Sequence, residues 1–236
     1  MTTGFEQALM RQKQSGNIPV IGDIKCKSPK EGDLLQGRDP VAVAALLAQT
    51  GAPCLSVVTE GEHFGGSLAL LEAVAARTNL PILRKDFIET EEDLRQTRAH
   101  GATAVLLMCA VQPEPLLCRL YEQALKLGLE PLVETHTRQE LLLAEKLEAR
   151  LVGINNRNIQ QWEQDDGGVD TTDKLAALAP KGALVISESA IATPAQARQA
   201  IEAGADAVLV GTAIWQAADT AGFYRALCEG KAEDNG

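Results

Sequence analysis

The chain has 236 residues, 45% of them hydrophobic and 23% charged, ordinary proportions for a globular protein able to bury a large core without disulfide staples. A formal net charge of −10 argues against nonspecific affinity for nucleic acid or an anionic membrane, so any phosphate must be met by locally concentrated positive charge. Five scattered cysteines without a C-x-x-C pair point to free thiols in a reducing, cytoplasmic compartment, and neither a signal peptide nor an apolar run of roughly 18 residues is read.

In chain order, Phe5–Gln14 reads as a short helix, followed by eight β-branched runs. These are Ile18–Lys25, Cys54–Thr59, Pro81–Arg84, Thr103–Met108, Glu130–Glu134, Leu151–Asn155, Leu184–Glu188 and Ala207–Val210. Helical patterns fill the intervals. Asp39-Pro40 and Thr193-Pro194 place a capping residue before a proline at the first helical position. Thr90-Glu91-Glu92 sets a cap and two acids at another helix start. Gly51, Gly101 and Gly204, each followed by alanine, mark helix ends. Strands roughly 20 to 36 residues apart, alternating with helices and undivided by a linker, predict one (β/α)8 TIM barrel spanning 1–236, with a short N-terminal helix before the first strand. The acidic, glycine-bearing stretch Glu163–Asp173 lacks calcium-loop spacing and is expected to be a solvated loop.

Barrel chemistry sits at the carboxyl ends of the strands, and side chains two apart share a strand face. Alternation groups Ile21, Asp23 and Lys25, then Leu83, Lys85 and Phe87, then Leu132 and Glu134. It also groups Gly153, Asn155 and Arg157, and Ile186 with Glu188. If these faces point inward, acids and amines crown the barrel, and such charges beside a hydrophobic core must be paired or employed. After the last two strands, Ser189-Ala190-Ile191 and Gly211-Thr212-Ala213 offer small residues where barrels often bind phosphate through backbone amides. The polar loop Cys26–Gly37, with Lys27, Ser28 and Lys30, suits a lid or an ordinary solvated loop. His63, His100 and His136 show no metal pattern, and a structural or solvated role is expected for each. Alternation turns Cys26 away from Lys25, so it is not read as a nucleophile.

The run Asp23-Ile-Lys-Cys-Lys-Ser-Pro29 resembles the first-strand signature of the indole-3-glycerol-phosphate synthase family. Leu55-Ser-Val-Val-Thr-Glu60, Phe64-Gly-Gly-Ser67 and Pro81-Ile-Leu-Arg-Lys-Asp-Phe87 resemble it in the same order. So do Leu132-Val-Glu134, Gly153-Ile-Asn-Asn-Arg-Asn158, Ile186-Ser-Glu-Ser189 and Val210-Gly-Thr212. The resemblance implies a cofactor-free carboxy-lyase of tryptophan biosynthesis. It would convert 1-(2-carboxyphenylamino)-1-deoxyribulose 5-phosphate to indole-3-glycerol phosphate, with loss of carbon dioxide and water, as a monomer or homodimer and without a metal. By motif position Lys85 is implied as the acid for ring closure, Lys25 as a partner acid or carboxylate binder, and Glu134 as the carboxylate assisting dehydration. Asp23, Asn155 and Glu188 complete the implied catalytic group, Asn155 and Glu188 by orienting hydroxyls and lysines. Arg157 would face the substrate carboxylate, and Ser28, Ser189, Ala190, Gly211 and Thr212 would surround the phosphate. Phe64, Phe87, Pro29 and Ile159 would touch the aromatic ring.

The family usually has glutamate at Asp23, serine at Lys30 and glycine at Ala190, and a longer N-terminal extension that covers the substrate. These departures keep two alternatives open. One is a divergent paralogue acting on another aryl-amino or ribulose phosphate, a Schiff-base aldolase using Lys85 among them. The other is a noncatalytic phosphate-binding barrel.

Overall fold

The protein is described by a computed structural model covering residues 4–157 and 168–231. Ten strands follow one another along these residues: β1 (Val20–Ile24), β2 (Lys27–Ser28), β3 (Gly32–Asp33), β4 (Leu55–Val58), β5 (Ile82–Lys85), β6 (Ala104–Met108), β7 (Glu130–Thr135), β8 (Leu151–Asn155), β9 (Leu184–Glu188) and β10 (Ala207–Val210). All but β2 and β3 pair in parallel and close into one barrel, in the order β1-β10-β9-β8-β7-β6-β5-β4. The helices are α1 (Phe5–Gln14), α2 (Pro40–Gln49), α3 (Leu68–Arg77), α4 (Glu91–Ala99), α5 (Glu114–Lys126), α6 (Arg138–Lys146), α7 (Asp170–Leu175), α8 (Pro194–Glu202), α9 (Thr212–Gln216) and α10 (Thr220–Glu229). No helix among the described residues is long and apolar enough to cross a membrane.

Period-two alternation divides the buried residues into two clusters. Ile21, Leu83, Leu106, Leu132, Ile186 and Leu209 fill the barrel interior. Val20, Ile24, Val57, Val105, Val133, Val152, Val185 and Val208 face outward and pack under the helices. The expected helix starts are capped by the side chains named from sequence. Asp39 accepts from Val41 N–H, Thr193 from Gln196 N–H, and Thr90 forms a reciprocal capping box with Asp93. Gly51, Gly101 and Gly204 adopt φ of 101°, 91° and 112° just past helix ends, where a side chain would be strained.

Two expectations need correction, and α1 sits away from the site. The loop after β1 contains a small antiparallel ladder, Lys27 opposite Asp33 and Ser28 opposite Gly32. The stretch read as a solvated loop over Glu163–Asp173 ends inside α7, where Thr172 is fully buried; its earlier part lies outside the described residues. The N-terminal helix does not cover the carboxyl mouth. Phe5 and Leu9 pack with Cys54, Ala104 and Ala207 at the amino ends of the strands, and Glu130, at the start of β7, accepts the Phe5 and Glu6 N–H groups at 2.6 and 2.9 Å. The helix plugs the end opposite the site, because its two largest apolar side chains complete the lowest layer of the barrel core.

Candidate active site

At the carboxyl mouth the inward faces of β1, β5, β7 and β8 deliver Asp23, Lys85, Glu134 and Asn155 to one cavity of about 420 Å³, joined by Lys25 just past β1, while Glu188 of β9 backs Lys85 from the barrel interior. Asp23, Lys25, Glu134, Asn155 and Glu188 are buried. Lys85 Nζ donates to Glu188 Oε2 at 2.6 Å and lies 3.8 Å from Glu134 Oε2. The inward position between Leu151 and Asn155 must be glycine, because a Cβ on Gly153 would collide with Glu188 Oε1. Burial works against the Lys85 ammonium, but Glu188, Glu134 and Asp23 outweigh it and raise its pKa. Burial pushes the carboxyls of Asp23 and Glu188 up, against the opposing pull of Lys85. Asp23 Oδ1, Glu188 Oε1 and both Glu134 oxygens are buried without a hydrogen-bond partner among the described residues.

The rest of the wall combines apolar and small residues with Glu31, Glu60, Asp86 and Arg157. Phe64 and Phe87 line the cavity with Val58, Leu106, Met108 and Leu209. Lys25 Nζ sits 5.5 Å from the Phe64 ring centroid, a cation–π distance. Arg157 reaches the same cavity, and its N–H donates to Asn155 Oδ1 at 3.0 Å. Ser189, Ala190, Gly211 and Thr212 form one end. Ser189 and Ala190 both take left-handed conformations, φ 66° and 58°, and Gly211 opens the short helix α9. Trp215 Nε1 donates to the Asp23 carbonyl at 2.9 Å, tying α9 to β1.

Of the residues singled out from sequence, Ser28 and Pro29 do not line this cavity. Ser28 is buried in the β2–β3 ladder, its Oγ accepting from Lys30 N–H at 3.3 Å. Ile159 lies outside the described residues. Several contributors escaped sequence reasoning. Glu60 accepts the N–H groups of Glu62, His63 and Phe64 at 2.8 to 2.9 Å, which sets the turn presenting Phe64. Asn156 points outward and donates to the carbonyls of Glu188 and Ser189 at 2.9 and 3.3 Å while its Oδ1 accepts from Thr172. Arg84, also outward and buried, binds Thr59 Oγ1 at 2.9 Å and Asp86 Oδ2 at 2.8 Å directly beneath Lys85. Attention to inward faces hid Asn156 and Arg84, although each is adjacent in sequence to a residue already suspected. Glu60, Glu62 and His63 bring ligand-type atoms within 4.8 Å of one another, which the spacing of the histidines had not suggested; the Glu60 carboxylate already serves three backbone amides.

A family profile described as indole-3-glycerol phosphate synthase matches residues 1–227. The chain belongs to the indole-3-glycerol phosphate synthase family. The family member from Pyrococcus furiosus is 39% identical over 226 residues, 96% of this chain and 97% of that protein. The synthase from Parafrankia sp. is 43% identical over 210 residues, 89% and 77% of the two chains. A solved structure described as an N-acetylmannosamine-6-phosphate 2-epimerase from Clostridium perfringens shares the fold, with a TM-score of 0.64 at 18% identity over 84% of this chain and 87% of that one. Membership in the synthase family makes the chain a carbon–carbon lyase of tryptophan biosynthesis.

Proposed function

We propose that the cavity closes the indole ring of 1-(2-carboxyphenylamino)-1-deoxyribulose 5-phosphate, with Lys85 as the acid for ring closure. The observation that carries this reading is the Lys85 ammonium held at 2.6 Å by Glu188 and at 3.8 Å from Glu134 within a largely apolar cavity. When the aromatic carbon attacks the ribulose ketone, negative charge develops on the carbonyl oxygen, and a preplaced ammonium stabilises it. The alkoxide is far more basic than an amine, so the proton passes from Lys85 even though its neighbours raise its pKa. Loss of carbon dioxide then supplies the electron pair that re-forms the ring double bond. Loss of the former ketone oxygen as water completes aromatisation, assisted by Lys25 as proton donor and Glu134 as base. Asp23, Asn155 and Glu188 orient the hydroxyls and lysines, and Arg157 faces the substrate carboxylate.

The phosphate is assigned to the turn Ser189-Ala190 and to Gly211-Thr212 at the start of α9. Two left-handed residues in succession and a short helix start expose backbone amides, the usual phosphate seat after the last strands of a barrel. Ser28, also assigned to the phosphate from the family motif, does not line this cavity, and the aromatic ring of the substrate falls to Phe64 and Phe87.

The test is turnover by the purified protein, followed by indole-type fluorescence and released carbon dioxide. Lys85→Met is expected to abolish product formation while inorganic phosphate still binds. Retained turnover would remove Lys85 from the acid role, and absence of turnover in the unaltered protein would favour a noncatalytic barrel.

A further inference from the structure

His136 stands two residues beyond Glu134, so strand alternation carries its ring toward the same mouth. Its side chain is 15% exposed, against 1% for Glu134 and 20% for Glu140. The ring lies between the two acids: Nε2 is 3.8 Å from Glu134 Oε1, and Nδ1 is 3.6 Å from Glu140 Oε2. Glu140, in the first turn of α6, is fixed by accepting the His136 N–H at 2.5 Å. Both ring distances exceed a hydrogen bond, so the attraction is that of an ion pair and requires a charged ring.

The groups facing the ring are Glu134 from β7, Glu140 from α6 and Glu188 from β9, with Lys85 of β5 beyond Glu134. Cys109, past β6, adds no charge, since burial with Glu140 and Glu134 pushes its thiol up to about 12. Burial disfavours an imidazolium at position 136, but Glu140, Glu134 and Glu188 outweigh it and raise its pKa. Three carboxylates, Glu188, Glu134 and Asp23, act on the single Lys85 ammonium, and of the three Glu134 is the one that the His136 ring also approaches. Glu134 has no hydrogen-bond partner among the described residues and a cation 3.8 Å from each oxygen. Once Lys85 gives up its proton, one of those two cations is gone.

We propose that His136, held as a cation between Glu134 and Glu140, is a positioning residue that supplies Glu134 with a second cation while Lys85 is spent. The inference rests on the reading of Glu134 as the base of the dehydration step. Its closing experiment has one arm that does not depend on turnover. In the full, substrate-free chain, the ring of His136 is titrated by NMR beside His63 and His100. Its midpoint is expected above the ordinary 6.5, and Glu140→Gln is expected to move it down. A midpoint at or below 6.5 overturns the ion-pair reading whether or not the protein is a synthase. In the second arm, His136→Gln keeps a polar side chain but loses the charge. The acid limb of its kcat profile is expected to move up by about one pH unit, with KM little altered. An unmoved profile, or a uniform loss at every pH, overturns the proposal. Glu140→Gln leaves the ring in place and gives the kinetic answer if His136→Gln fails to fold. An inactive wild-type protein would defeat the synthase reading alone.

Discussion

Asp23 is held where its neutral form is favoured. Burial raises its pKa despite the opposing pull of Lys85, Lys25 and the neighbouring Ser56, and Oδ1 has no hydrogen-bond partner among the described residues. The folded state therefore binds this proton more tightly than the unfolded chain does. The resulting penalty is largest above the folded pKa and is relieved as pH falls through it. Asp23→Asn is expected to raise stability at pH 7 by about 1 kcal/mol, an advantage that shrinks in acid, while lowering kcat. Thermal unfolding at pH 7 and pH 4 checks the sign; a lower melting temperature at pH 7 would contradict it. Asp23→Glu, the side chain the family usually carries, is expected to keep or raise turnover, and a severe loss would show that the site is fitted to the shorter acid. At this scale the sequence was informative because inward strand faces repeat every two residues. The alternation that grouped Asp23 with Lys25, Lys85 with Phe87, and Leu132 with Glu134 also describes the observed interior. His136 was read as structural or solvated because its second carboxylate, Glu140, comes from the following helix, a relation that strand alternation does not encode.

The turn after β9 shows how an element supports chemistry through backbone conformation. Ser189 and Ala190 have φ of 66° and 58°, where an L side chain costs about 1 kcal/mol or more. The turn is held by the outward Asn156 side chain, which donates to Glu188 and Ser189 carbonyls and is itself secured by Thr172 of α7. Ala190→Gly is expected to stabilise the protein by about 1 kcal/mol in urea unfolding, with KM equal to or below that of the native chain. Asn156→Ala is expected to raise KM for the phosphorylated substrate more than it lowers kcat, because the turn lies at the end of the cavity proposed as the phosphate seat. An unchanged KM would show that the turn keeps its shape without this side chain. The eight barrel strands were legible as short apolar runs at regular spacing, six of them ended by a polar residue and two, Thr103–Met108 and Ala207–Val210, by an apolar one. Helix α7 was not, since acids and glycines over Glu163–Asp173 resemble a solvated loop, and what secures it is the long-range contact of Thr172 with Asn156 and Ser187.

At the scale of the whole molecule, stability and chemistry occupy opposite ends of the cylinder. The longer N-terminal extension of the family covers the substrate, whereas here the short α1 lies across the amino ends of the strands. Its first N–H groups are held by Glu130, and Arg150 pairs with Glu6 at 2.6 Å. Phe5 is fully buried with Leu9 against the lowest layer of the barrel interior. Truncating it leaves a cavity that surrounding strands, fixed by hydrogen bonding on both sides, cannot collapse to fill. Phe5→Ala is therefore expected to cost about 3–5 kcal/mol of stability. The native fraction should keep wild-type kcat and KM, because α1 supplies none of the walls that enclose Lys85 and Glu188. Glu130→Gln provides a milder perturbation of the same plug, weakening its hold on the helix start without opening a void. Urea unfolding beside steady-state kinetics separates the two ends: a rise in KM with intact folding in either variant would mean that α1 does communicate with the carboxyl mouth.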